Sequence, residues 1–124
     1  MIMTKRFSPP LLAAFDAAKY LRIRCGEHRF VAIWVVVVEG RVLVRSWNDK
    51  PAGWFGAFRA QPLGAVQLDG REVPVRAIAV RSDQLKRAAS AAYATKYTTK
   101  ANEKYVQGFA TAKRRQTTLE LISA

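Results

Sequence analysis

Apolar and polar positions first fall into a pattern at Leu11, Leu12, Phe15 and Ala18, the spacing of one helix face. Ser8 stands where an N-cap belongs, and Pro9 fits the first helical position, where a missing N–H costs nothing. This short helix is expected to end near Lys19. Tyr20 to Cys25 then alternates, with Leu21, Ile23 and Cys25 on one face and Tyr20, Arg22 and Arg24 on the other. That is the pattern of a half-buried strand. Gly26-Glu27-His28 turns the chain into Phe30 to Val38, an unbroken apolar run rich in Val, Ile and Trp. Such a run predicts a strand covered on both faces. Glu39-Gly40 supplies a tight turn. Arg41 to Arg45 follows, with Val42 and Val44 on one face and Arg41, Leu43 and Arg45 on the other. These three strands are expected to form an antiparallel meander.

Asn48 to Gly53 is a loop by its turn residues. Trp54 to Ala60 reads as a short helix that lays Trp54, Phe55 and Phe58 over the sheet, stopped by Pro62 and Gly64. Ala65 to Leu68 and Arg71 to Val80 are strands joined by an Asp69-Gly70 hairpin turn. Pro74 removes a ladder donor, so its position is expected at an edge or a bulge. Ser82 or Asp83 caps a longer helix whose inner face is Leu85, Ala88, Ala89, Ala92 and Tyr93. Its alanines imply close approach to the sheet or to a partner. Asn102 to Ala112 is a further helix, and Thr117 to Ile122 a last strand. Short antiparallel strands avoid exposed edges best by closing. The expected fold is therefore mainly β with helices (α+β), a small antiparallel barrel of about six strands with three or so flanking helices. It fills one domain, residues 1–124, with 1–7 as a loose N-terminus.

Half of the 124 residues are apolar, enough for a core without staples. The single cysteine, Cys25, has no partner for an internal disulfide, so a reducing cytoplasm is the natural setting. No apolar run approaches the ~18–20 residues of a membrane span. The N-terminus lacks the apolar core of a signal peptide. Charge adds a demand of its own: 21 Lys and Arg stand against 9 Asp and Glu, a net charge of +12. That excess attracts anions, whether nucleic acid, anionic lipid or a phosphorylated ligand. The cations are scattered, with the densest group at Lys113-Arg114-Arg115.

Arg45-Ser46-Trp47 is the best ligand corner, because a charge, a hydroxyl and an indole meet where a core strand enters a loop. A guanidinium fork matches phosphate, and a hydroxyl adds a donor. The competing reading of Arg45 is a side chain reaching out from a strand end. Trp34, Trp47 and Trp54 are either core or a stacking surface for a ring, with Trp47, beside the loop, most exposed to the second role. His28 is a lone histidine in a turn, with no second ligand at metal spacing. Cys25 sits on an apolar face and reads as a packed thiol. No nucleophile elbow and no Gly-rich phosphate loop is present.

The order of the pieces, and above all Ile33 to Trp54 with its "IWVVVVEGRVLVRSW" core, resembles the FMN-binding split-barrel superfamily. That group includes pyridoxamine-phosphate-oxidase-like proteins and deazaflavin-dependent reductases. Within it, the chain is most similar to a family of small uncharacterised bacterial proteins. The resemblance implies a split barrel, a homodimer with cofactor sites at its seam, and FMN or a deazaflavin as cofactor. It places Arg45 and Ser46, with Lys50 or Arg59, at the flavin phosphate, and Trp47 and Trp54 beside the ring. One departure is that the helix Trp54 to Pro62 keeps the family's Pro but lacks its Asn.

Three functions are open at this point. The first is a small flavin or deazaflavin reductase, in which the cofactor carries the chemistry and no acid–base motif is needed. The second is a binding or structural barrel whose ring slot is filled by Trp54, Phe55 and Phe58. The third, a nucleic-acid-binding barrel, rests on the net charge and has no recognition motif behind it.

Overall fold

The computed structural model describes residues 6–124. Helix α1 (Pro9–Ala17) leads into strand β1 (Leu21–Cys25), and β2 (Val31–Ile33) and β3 (Val36–Val38) follow. Next come β4 (Arg41–Arg45), α2 (Trp54–Ala60), β5 (Leu63–Leu68) and β6 (Arg71–Ala79). The long helix α3 (Asp83–Lys96) precedes a 3-10 turn at Lys100–Asn102. Helices α4 (Glu103–Phe109) and α5 (Ala112–Arg115) then lead to the last strand, β7 (Thr118–Ser123). The seven strands form one sheet in the order β2-β1-β5-β6-β7-β4-β3, with every neighbouring pair antiparallel. The fold is α+β, a sheet curled into a half-barrel with helices around it.

The expected nine-residue strand is two. Chain 30–38 breaks at Trp34-Val35, and the two pieces go to opposite margins of the sheet. β2 pairs with β1, matching Ile23 to Val31, while β3 pairs with β4, matching Val36 to Leu43. The meander is therefore corrected: its middle strand switches sides, and β5, β6 and β7 stand between β1 and β4. The break is held by α3. The Val35 N–H donates to the Tyr97 hydroxyl at 3.1 Å, and the Val35 carbonyl accepts from Lys96 Nζ at 2.8 Å. Both backbone groups that leave the ladder thus keep partners, as buried ones must. β2 is also not covered on both faces, since Val31 and Ala32 are exposed.

Both two-residue turns have the expected chemistry. Glu39 and Gly40 sit at φ 51° and 76°, and Asp69 and Gly70 at 50° and 72°. Two successive positive values make the turn twist with its strands. Pro74 lies inside an interior strand, but at the margin of the β6–β7 ladder, which begins at Val75. The Ser82 hydroxyl accepts from the Leu85 N–H and so caps α3. Residues 1–5 of the expected loose end lie outside the described residues. Phe7 is not loose, because it is buried with its ring 4.9 Å from Phe15.

The inside of the curl holds Leu21, Ile23, Val42, Val44, Val66 and Leu121, closed by Phe15 of α1 and by Phe55 and Phe58 of α2. A second core lies outside β3 and β4, where Val36 and Leu43 meet Ala89, Tyr93, Tyr97 and Phe109. β4 is thus buried on both faces. That fact decides what its last residue does.

Candidate functional site

Arg45 shares the outer face of β4 with Leu43, and α3 lies over that face with its small residues. The guanidinium is 1% exposed. Its Nε donates to Thr118 Oγ1 at 2.8 Å, and Nη2 donates to the Lys86 carbonyl at 2.7 Å. Nη1 donates to Ser90 Oγ at 2.8 Å and to the Phe109 carbonyl at 2.7 Å. The side chain ties β4 to α3, to the end of α4 and to β7. Burial lowers its pKa, with Tyr93 opposing and Arg115 adding to the shift. The expectation of a phosphate clamp is corrected here, since these donors are spent on the protein and no face of the fork meets solvent. Neither does Arg45 reach out from the strand end. It is a structural cation.

Ser46 is also buried. Its hydroxyl donates to the Asn48 carbonyl, and its N–H donates to Thr117 Oγ1 at 3.0 Å. It nevertheless lines a cleft of about 500 Å³ with Trp47 and Asn48. The rest of the wall is Val31, Ala32, Ile33 and Trp34 from the broken strand, Trp54 from α2, and Asn102, Tyr105 and Phe109 from α4 and the turn before it. A volume of this size is within the range of small-molecule sites, and an apolar lining with a few polar groups is typical of them.

The aromatic rings are set by one another. Trp34 stacks on Tyr97 with centroids 4.0 Å apart and planes 5° from parallel. Trp47 meets Tyr105 and Phe109 at 5.6 Å each. One of its faces carries the Arg114 guanidinium, whose Cζ is 3.5 Å from the ring centroid. Arg114 Nε also donates to the Trp47 carbonyl at 2.8 Å. A Cβ on Gly108 would run into the edge of the Trp47 ring, so α4 approaches this close only because position 108 has no side chain. Trp47 stays 42% exposed despite these contacts.

Of the six predicted site residues, the fold brings three to this cleft: Ser46, Trp47 and Trp54. Lys50 is exposed in the loop and does not line it. Arg59 lies elsewhere, over the Phe55 ring and beside a different cleft. Phe55 and Phe58, suspected of filling a ring slot, turn into the core and leave the cleft open. Tyr105, Phe109, Asn102 and Arg114 were missed. Tyr105 and Phe109 stand four positions apart on α4, and nothing in the local pattern says that this helix borders a cavity.

Other candidates are quiet. Cys25 is buried, its Sγ 3.1 Å from the Gln61 carbonyl, and burial pushes its thiol pKa up. Among the described residues no three His, Cys, Asp or Glu side chains gather as metal ligands. No helix among them is long and apolar enough to cross a membrane.

Solved structures that resemble this one include two bacterial proteins. A conserved hypothetical protein from Mycobacterium tuberculosis superposes with a TM-score of 0.63 at 14% identity, covering 100% of this chain and 84% of its own. An FAD-binding protein from Mesorhizobium loti gives a TM-score of 0.54 at 15% identity, covering 97% of this chain and 91% of its own. Likeness at such identities concerns the fold. No curated protein matches the sequence. A family model described as "Uncharacterized protein conserved in bacteria (DUF2255)" matches residues 12–121, and the chain belongs to that family.

Proposed function

We propose that the aromatic cleft binds a planar cofactor of the flavin type, FMN or a deazaflavin. The observation that carries the reading is a 500 Å³ cleft walled by Trp34, Trp47, Trp54, Tyr105 and Phe109. Aromatic faces hold a flat ring system by stacking. Ser46, Asn48 and Asn102 are the polar groups that would orient its edge. With Arg45 committed elsewhere, the cations beside the rings are Arg114 over Trp47 and Lys104 over Tyr105, and these are the partners for a cofactor phosphate. The FAD-binding neighbour supports the reading at the level of fold.

When bound, a flavin supplies hydride chemistry. The side chains of this chain position it and exclude water from one face, and a small reductase is the activity that follows. The homodimer expected from the resemblance belongs to the same proposal. β2 is an edge strand whose exposed Val31 and Ala32 line the cleft, so a second copy seated there would complete its wall.

The test is titration with FMN and a deazaflavin, followed by flavin absorbance and tryptophan fluorescence. Micromolar binding is expected, weakened by about fivefold to 150-fold in Trp47→Ala, since one stacked ring is worth roughly 1–3 kcal/mol. Absence of binding by both flavins would sink the proposal. Arg45→Ala is not a useful probe, because it attacks the core.

A further inference from the structure

A second cleft, of about 510 Å³, shares no lining residue with the aromatic one. Four cations from four parts of the chain converge on it. Arg59 comes from the last turn of α2, Arg81 from the loop after β6, Lys86 from α3 and Lys113 from α5. The carboxylate in its lining is Asp49. Other hollows of this protein are balanced. The groove beside β1 sets Arg22 and Arg71 against Asp69 and Glu72, and the one beside β5 sets Arg24 against Glu72. Net positive charge is therefore not spread evenly over the concave surface. Among these hollows the excess gathers in one.

The cations there are free to act. Among the described residues Arg59, Arg81 and Lys113 make no ion pair and no side-chain hydrogen bond. Lys86 is different, being buried and fixed. Its Nζ donates to Gln116 Oε1 at 2.9 Å and lies 4.0 Å from the exposed Asp83 carboxylate. An ammonium has three donors, so further N–H groups remain for a ligand. The Gln116 amide nitrogen, whose oxygen is taken by Lys86, adds another donor at the same wall. Four cations outnumber the Asp49 and Asp83 carboxylates beside them, and a bound anion relieves the remaining repulsion.

We infer that this cleft is an anion site for a phosphorylated small molecule, with Lys86 as its buried fixed charge and Arg59, Arg81 and Lys113 as its outer clamp. Arginine forks suit phosphate oxygens, and lysines serve as point charges. The site stands without the flavin proposal, because no residue of the aromatic cleft takes part.

Pyrophosphate is the probe, titrated by calorimetry at physiological salt so that diffuse attraction is screened. Wild type is expected to bind it. The double variant R59Q/K113Q, altered only at exposed unpaired side chains, should bind at least about tenfold more weakly. R22Q/R71Q removes the same charge from a balanced groove and should bind like wild type. Equal weakening in both variants would make the attraction a property of net charge and overturn the site. So would no binding of pyrophosphate at all. Binding confined to single-stranded RNA or to phosphatidylserine vesicles, with none to pyrophosphate, would overturn the small-molecule assignment. Flavin titration of R59Q/K113Q separates the two proposals, since its flavin affinity should not change.

Discussion

At the scale of single residues, the molecule turns on buried polar groups. Arg45→Met would take one donor each from the Lys86 and Phe109 carbonyls and from the Ser90 and Thr118 hydroxyls. A loss of about 2–4 kcal/mol is expected, read by urea denaturation. Arg45→Lys should recover little of it, because one ammonium cannot span the positions that a planar fork reaches. Tyr93 is the opposite case. Its buried hydroxyl has no hydrogen-bond partner of good geometry, so Tyr93→Phe should change stability by less than about 1 kcal/mol. The same residue gives a pH signature. Burial raises the pKa of Tyr93, and also those of Tyr97 and Cys25. The unfolded chain then releases these protons first, and stability falls as pH rises above the ordinary thiol and tyrosine values, about 9 and 10. Burial lowers Lys96, which works the other way as pH rises toward 10.5, but against three groups. Denaturation midpoints should therefore drop on the alkaline side, and Tyr93→Phe should drop less than wild type. Parallel pH profiles for the two proteins would contradict this.

At the scale of elements, the break at Trp34-Val35 is the feature with most to test. Tyr97→Phe removes the acceptor of the Val35 N–H and the donor to the Lys19 carbonyl, 2.6 Å away. A cost of about 1–3 kcal/mol is expected, with faster amide exchange at Val35 as the local reading. Unchanged exchange there would mean that the break needs no such support. Gly108→Ala tests the other wall. Its new methyl group meets the Trp47 ring, so a penalty of about 1–3 kcal/mol and a shifted tryptophan emission are expected. Most elements were legible because their signals are local: alternation in β1, two turn dipeptides, a serine cap and an alanine face on α3. The strand break was not. Nine apolar residues look alike whether they cross one sheet or change margins, and the groups that hold the break stand some sixty positions later. The role of Arg45 was half legible. Its alternation with Leu43 puts it on the face that an alanine-rich helix must cover, yet the terminal position favoured an exposed reading. The four cations of the second cleft are too far apart in sequence to be seen together.

At the scale of the whole molecule, the net charge of +12 is accounted for in part by one concave surface, while the aromatic cleft is nearly free of charge in its lining. If a second copy seats on β2, sedimentation should show a dimer, and Val31→Glu should shift it toward monomer by placing an acid in an apolar contact. A monomer at all concentrations would leave the aromatic cleft to be completed by its ligand alone. The last strand adds a constraint of another kind. β7 lies between β6 and β4, with Leu119 matched to Ala79 on one side and to Val44 on the other. Until residues 118–123 are in place, the first four strands of the sheet order and the last two have no ladder in common. β7 is also the last of the seven strands to be synthesised, so the ladders that join the two groups are the last that can form.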